Sequence, residues 1–279
     1  MLKKEDIRIR DPYVLVDQEN KQYYLYGTTG LTEGYKTVNY FVTYKSTDLE
    51  NFSDPIVVFK GDNFWSDSDY WAPEVVFYNG KYYMLASFKS ATRSRGTQIL
   101  VSDSPEGPFQ PLSEYPVTPE GWECLDGTLY FEDGKPYMFF CREWTQVRDG
   151  EMYAMELSPD LTHAVGEPIF LFSASQNKYV QPFKDGAGND CYVTDGPCLY
   201  RENGKLVMLW SSTRESVYCV LKAYADSITG EWKHEDRPIF SVGGGHCMVF
   251  NAFDGRKMLS LHYPNESPKE RAVFLDFCL

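Results

Sequence analysis

The sequence predicts an all-β chain folded as a five-bladed β-propeller with four antiparallel strands per blade, a single domain over residues 1–279. Three observations carry that expectation. A unit of turn, short strand, tight turn and aromatic-rich strand recurs five times, at 10–28, 71–88, 125–140, 194–212 and 244–262. Four of the tight turns are near copies: Asn79-Gly80-Lys81, Asp133-Gly134-Lys135, Asn203-Gly204-Lys205 and Asp254-Gly255-Arg256. Matching landmarks at 11, 73, 126, 195 and 246 lie 51 to 69 residues apart, the size of a four-stranded blade with variable loops. A two-sheet sandwich would explain the strands but not the period.

Each element follows from local chemistry. Asn-Gly and Asp-Gly tolerate positive φ at both central positions, so each joins its flanking strands as a hairpin. The strands themselves are rich in aromatic and β-branched residues, as in "KYYMLASF" and "KLVMLWSS". Third and fourth strands follow the hairpins, for example in 97–112 and 216–242. A turn motif running to an aromatic residue recurs at Asp103–Phe109, at Asp226–Trp232 and loosely at Ser46–Phe52. No amphipathic helix of 12 residues or more is expected.

Composition narrows the function. Aromatic residues make up 16% of the chain and apolar ones 43%, enough for a large core and against disorder. The net charge of −13 disfavours nucleic acid and anionic membrane as partners and suits a neutral or cationic small molecule or a glycan. The cysteines, Cys124, Cys141, Cys191, Cys198, Cys219, Cys247 and Cys278, are odd in number and form no C-x-x-C pair. They are expected to be free thiols acting as small hydrophobes rather than a disulfide frame or a zinc site. The opening "MLKKEDIRIRDPYV" has no apolar core, and no apolar run approaches the length of a membrane span. A cytoplasmic location is expected, and no pattern specifies an oligomer.

In a propeller the first strand of each blade lines the central channel, and the turn before it sits at the channel mouth. Asp11, Pro73-Glu74, Asp126, Asp195 and His246 should therefore converge from five blades. An Asp beside Gly or Pro is usually a turn residue. Three of them at one blade position suggest more. Carboxylates crowded into one cavity repel one another and spread their pKa values, so that one is an acid while another is a base. Glycoside hydrolysis needs that division.

Taken together and in order, "RDPYV", "DYWAPEV", "LDGTLYF", "TDGPCLY…GKLVMLWSS" and "GGGHCMVF…DGRKMLSLHYPN" make the chain resemble glycoside hydrolase family 43. These are five-bladed propeller enzymes acting on arabinose- and xylose-containing plant glycans. The resemblance implies an inverting mechanism with Asp11 as general base, Asp126 as the carboxylate that raises and orients the acid, and Asp195 at the general-acid position. It implies an exo-acting α-L-arabinofuranosidase or β-xylosidase with a carbohydrate substrate and no cofactor needed for chemistry. It also makes Trp71 and Trp144 candidate platforms for a sugar ring, core packing being the alternative. Glu74, Arg142 and Arg214 are further candidates for substrate contact, with surface pairing as the alternative for the arginines. The matching histidine, His246, is expected to face the channel, where a structural calcium ion can be held.

The sequence departs from the family at one position. The family has glutamate at the acid position, in "EGP", and this chain has Asp195 in "TDGP". The carboxyl is withdrawn by roughly one C–C bond, about 1.5 Å, and about 1 Å of misplacement can cost on the order of 100-fold in rate. A catalytically weakened or inactive glycan-binding propeller is thus the second reading. Glu74, Glu143 and Glu215 are the candidates to compensate.

Overall fold

In the computed structural model, residues 1–30 and 38–277 are described, and Cys278 lies outside them. Five blade sheets follow one another along the chain, with a two-stranded ribbon of Phe183–Lys184 and Asp190–Cys191 between the third and the fourth. Their first strands are Arg10–Asp17, Ser68–Tyr78, Cys124–Glu132, Asp195–Glu202 and Gly245–Asn251. Each of these packs against its two neighbours in turn, and the fifth returns to the first, closing the ring. The chain is a five-bladed β-propeller.

The expected turns appear at three hairpins. Asn79 and Gly80, Asp133 and Gly134, and Asn203 and Gly204 all have positive φ at both positions, the twist that suits a right-handed strand pair. The fifth hairpin differs. Only Gly255 is left-handed there, and the loop closes by a bond from Ala252 N–H to the Arg256 carbonyl.

Not every blade has four strands. The second, third and fourth do. The first sheet has six, because Leu2–Lys3 pairs with Asn51–Phe52 and Ile56–Lys60 also pairs with Tyr40–Ser46. The fifth has three, extended by a single bridge from Arg8 to Arg271. The N-terminal segment thus contacts both the first and the last blade and latches the ring. Arg8 and Arg10 approach the fully buried Glu270 at 3.2 Å and 3.6 Å across this seam.

Blades adhere through five apolar clusters, one at each blade-to-blade junction. The second strand of a blade is covered on both faces. In Lys205–Arg214, Leu206 through Ser212 are all buried. Trp210 fills the junction of blades three and four beside Phe172, and truncating such a side chain costs about 3–5 kcal/mol. No described helix is long and apolar enough to cross a membrane.

Every first strand carries the same irregularity. Its register slips between Arg10 and Tyr13, Trp71 and Glu74, Leu125 and Thr128, Asp195 and Cys198, and Gly245 and Met248. One residue inside each slip is left-handed: Asp11, Ala72, Asp126, Gly196 and His246. Bulges of this kind re-aim side chains. Five of them around one axis build the channel mouth.

Candidate active site

A cavity of about 370 Å³ opens at that mouth, lined among others by Asp11, Trp71, Asp126, Trp144, Asp195 and His246. Four of the five blades place a left-handed residue whose N–H is caught by the preceding blade. Thr28 Oγ1 accepts from Ala72 at 2.7 Å, Ser87 Oγ from Asp126 at 3.0 Å, and Ser211 Oγ from His246 at 2.8 Å. Across the ring seam, His262 Nδ1 accepts from Asp11 at 3.2 Å. The remaining position on the second strands is Cys141, paired opposite Leu125. The blade-four N–H, that of Gly196, is instead taken by Asp126 Oδ2 at 2.9 Å. Gly196 has φ +50°, and a Cβ there would come within 2.8 Å of the His246 ring. Glycine is needed for that close approach.

Asp195 is not in register with the other two aspartates. The bulge gives the left-handed role to Gly196, so Asp195 is equivalent to Arg10, Trp71, Leu125 and Gly245, one residue earlier. All three carboxylates nonetheless line the same cavity.

Their environments differ. Asp11 Oδ2 accepts from Thr28 at 2.7 Å, and Oδ1 lies 3.2 Å from His246 Nδ1. Burial alone would raise its pKa. The nearby His246 and Arg10 charges and the Thr28 hydroxyl outweigh burial and hold it below the usual carboxylate range. Asp126 is pushed up to about 8, first by burial and then by the Asp11 charge, with the Gly196 N–H opposing. Asp195 is pushed up to about 7, first by burial and then by Asp126, with His246 and the Tyr218 hydroxyl opposing. Tyr218 donates to Asp195 Oδ2 at 3.0 Å. Near neutral pH, Asp11 is ionised while the coupled Asp126–Asp195 pair retains a proton.

His262 lies 3.5 Å from Asp11 Oδ1, but this is not an ion pair. Its Nδ1 accepts the Asp11 N–H, so the proton sits on Nε2 and is given to Asn265 Oδ1 at 3.1 Å. Burial brings the ring down to about 3, and it stays neutral.

The aromatic walls are held from behind. The Arg95 guanidinium stacks 4.4 Å over the Trp71 ring. It also pairs with Asp69 at 2.8 Å and with Glu143. Trp144 begins the short helix Trp144–Val147 and is backed edge-on by Phe183 at 4.8 Å. Glu143 and Trp144 thereby supply one side of the cavity.

Three predicted substrate contacts fall elsewhere. Glu74 lies past the bulge, buried beneath the mouth, where burial raises its carboxyl to about 8; its Oε2 has no partner among the described residues. Arg142 turns outward, stacking on Trp122 at 4.1 Å and pairing with Glu151 at 3.6 Å. Arg214 stacks on Tyr179 and donates to its carbonyl at 3.1 Å. None of the three lines the cavity. Of the glutamates considered as substitutes for the acid, only Glu143 reaches the cavity, and its carboxylate is occupied by Arg95 and Thr145. Glu215 sits at the tip of the blade-four turn.

Sequence reasoning missed Arg95 and Tyr218. Both come from the third strands of their blades, where adjacency to the channel mouth depends on how the sheet folds back. The calcium expected at His246 meets a poor donor set. Nδ1 already faces Asp11, and among the described residues no group of three or more His, Cys, Asp or Glu side chains is arranged to hold a metal. Calcium takes six to eight oxygens, so these side chains alone do not fit it.

A propeller that gathers three carboxylates of unequal protonation between two tryptophans defines a carboxylate-dependent glycoside hydrolase. The family description Glycosyl hydrolases family 43 matches residues 6–277, and the chain belongs to that family. It is 40% identical, with a TM-score of 0.93, to the solved endo-arabinase from Bacteroides thetaiotaomicron VPI-5482, over 100% of this chain and 97% of that one. A thermostable family-43 glycoside hydrolase of known structure is 25% identical, with a TM-score of 0.81, over 97% of this chain and 90% of that one. The extracellular endo-alpha-(1->5)-L-arabinanase 1 of Bacillus subtilis (strain 168) is 25% identical over 256 residues, 85% of this chain and 71% of that protein.

Proposed function

We infer that this chain is an inverting hydrolase of arabinan, cutting within α-1,5-linked L-arabinofuranose chains. The carrying observation is the division of protonation among three carboxylates in one cavity. Ionised Asp11 takes a proton from the water that attacks the anomeric carbon. Protonated Asp195 gives its proton to the departing glycosidic oxygen. Asp126 and Asp195, buried together, titrate as a coupled pair that holds one proton to near neutral pH, so that Asp195 carries it while Asp126, anchored by the Gly196 N–H, carries the charge. Trp71 and Trp144 offer ring faces to sugars, with Trp71 fixed by Arg95. Two relatives that align along most of their length carry endo-arabinanase names, which favours arabinan over xylan and internal cleavage over release of single sugars.

The test is a substrate panel of linear arabinan, xylan and aryl arabinofuranosides and xylosides, with Asp11→Asn as control. Arabino-oligosaccharides of mixed length, whose new reducing ends first appear inverted by NMR, are expected from arabinan. Release only of xylose, or retained configuration, would overturn the reading. The second reading, a weakened binding propeller, is favoured by the short acid at 195. Asp195→Glu separates the two. A large fall in rate shows that the cavity is built around aspartate, and a large gain shows a detuned enzyme.

A further inference from the structure

A second cavity of about 370 Å³ lies on blade two, between Asn63-Phe64-Trp65 and Pro111–Tyr115. Residues 61–67 lead directly into the strand Ser68–Tyr78, whose Trp71 lines the catalytic cavity. Six steps of chain separate Trp65 from Trp71, at most about 22 Å. On the outer side, Arg93 begins the third strand at the mouth end and stacks 3.8 Å over the Tyr115 ring.

The walls are fixed. Trp65 Nε1 donates to the buried Gln98 Oε1 at 2.5 Å, and Gln98 Nε2 donates to the Ser113 carbonyl at 2.6 Å. One side chain thus ties both walls together. The indole N–H is spent on this tie, so Trp65 presents its ring and not a donor. Phe64 is locked edge-on against Phe88 at 4.9 Å and Phe59 at 5.4 Å. Tyr115 is 41% exposed, and the exposed Asn63 and Glu114 add polar groups. Rigid aromatic faces edged by an amide and a carboxylate suit the apolar face and hydroxyl rim of a sugar. Glu114 and a net charge of −13 disfavour an acidic glycan.

We propose that this cavity is an accessory carbohydrate-binding site that holds a remote stretch of the same neutral polysaccharide cut in the central cavity. The site rests on the reading that the enzyme's substrate is polymeric. It raises the local concentration of chain at the catalytic mouth, since a second contact on one ligand becomes intramolecular.

Native affinity electrophoresis in gels containing linear arabinan, xylan or polygalacturonate tests it, with Asp11→Asn as the non-cutting background. Retardation by arabinan is expected. It should weaken roughly tenfold with Tyr115→Ala or Trp65→Ala added, as for loss of one stacking contact, and polygalacturonate should retard nothing. With Asp11 restored, Tyr115→Ala should lower kcat/KM on arabinan far more than on a short arabino-oligosaccharide that cannot span both cavities. Trp65 packs in an aromatic cluster, so its variant is judged only if its circular dichroism is native; Tyr115 is a surface residue. Unchanged retardation and unchanged polymer kinetics in Tyr115→Ala overturn the site even while arabinan hydrolysis stands. Retardation by xylan instead of arabinan, still dependent on Tyr115, sustains the site and overturns the arabinan reading.

Discussion

At the scale of single residues, the chemistry depends on how each carboxyl is partnered. Asp195 is held up to about 7 by burial and by Asp126, while the Tyr218 hydroxyl pulls it down. An acid must be protonated to work, so activity is expected to fall as pH rises through about 7. As the proposed base, Asp11 must be ionised, and its pKa lies below the usual range, so the acid limb is expected to lie below the ordinary carboxylate range. Tyr218→Phe removes the bond that favours ionised Asp195. The alkaline limb of kcat/KM should then move to higher pH while the acid limb stays, with a loss of no more than about tenfold at the optimum. A pH–rate profile checks this. An unmoved alkaline limb would show that Asp195 is not the acid. Arg95 works at the same scale without touching the reaction: one guanidinium presses on Trp71 and ties it to Asp69 and Glu143, so the tryptophan presents only its cavity side.

At the scale of elements, the repeated bulge is the device that makes a site out of a scaffold. Thr28, Ser87, Ser211 and His262 occupy one position on the second strands and catch the neighbouring blade's left-handed N–H. Cys141 holds that position in blade three. A thiol is a weak acceptor, and the Gly196 N–H goes to Asp126 instead. Cys141→Ser restores a hydroxyl and should draw the Gly196 N–H away. Asp126 then loses a bond to its ionised form, and kcat on arabinan should drop by about tenfold, the worth of one hydrogen bond to a charged group. Thermal unfolding should barely change, because the substitution is nearly isosteric. Full activity would make the cysteine incidental. Much of this scale was legible in the sequence. The hairpin turns and their period give the blades because Asn-Gly and Asp-Gly favour positive φ locally, which three of the four pairs adopt at both positions. The bulge offset was not legible. Asp126-Gly127 and Asp195-Gly196 read alike, yet the left-handed residue is the aspartate in one and the glycine in the other. The same offset carries Glu74 past the mouth and below it. Arg95 and Tyr218 stayed hidden because their nearness to the channel is a property of the folded sheet, not of spacing along the chain.

At the scale of the whole molecule, ring closure forces acidic groups together and so links stability to pH. Glu74 and Asp126 are each raised to about 8 and Asp195 to about 7, burial being the first cause in all three. In the unfolded chain these carboxyls titrate near 4. A group whose folded pKa is raised contributes stability that is fully present below its unfolded pKa and is lost as pH rises through the folded value. The propeller should therefore weaken between about pH 4 and pH 8. Glu74 isolates the effect, since it lies outside the catalytic cavity, with one carboxyl oxygen unpartnered among the described residues. Glu74→Gln keeps the shape and cannot ionise. At pH 4, where Glu74 is protonated in the folded protein and mostly so in the unfolded chain, its melting temperature should match the parent's. At pH 9 it should exceed the parent's by at least about 2–4 °C, the shift expected for each kcal/mol in a chain approaching this size. Scanning calorimetry at both values decides it. Equal melting at pH 9 would mean that Glu74 ionises without penalty and that the channel beneath the site is open to water.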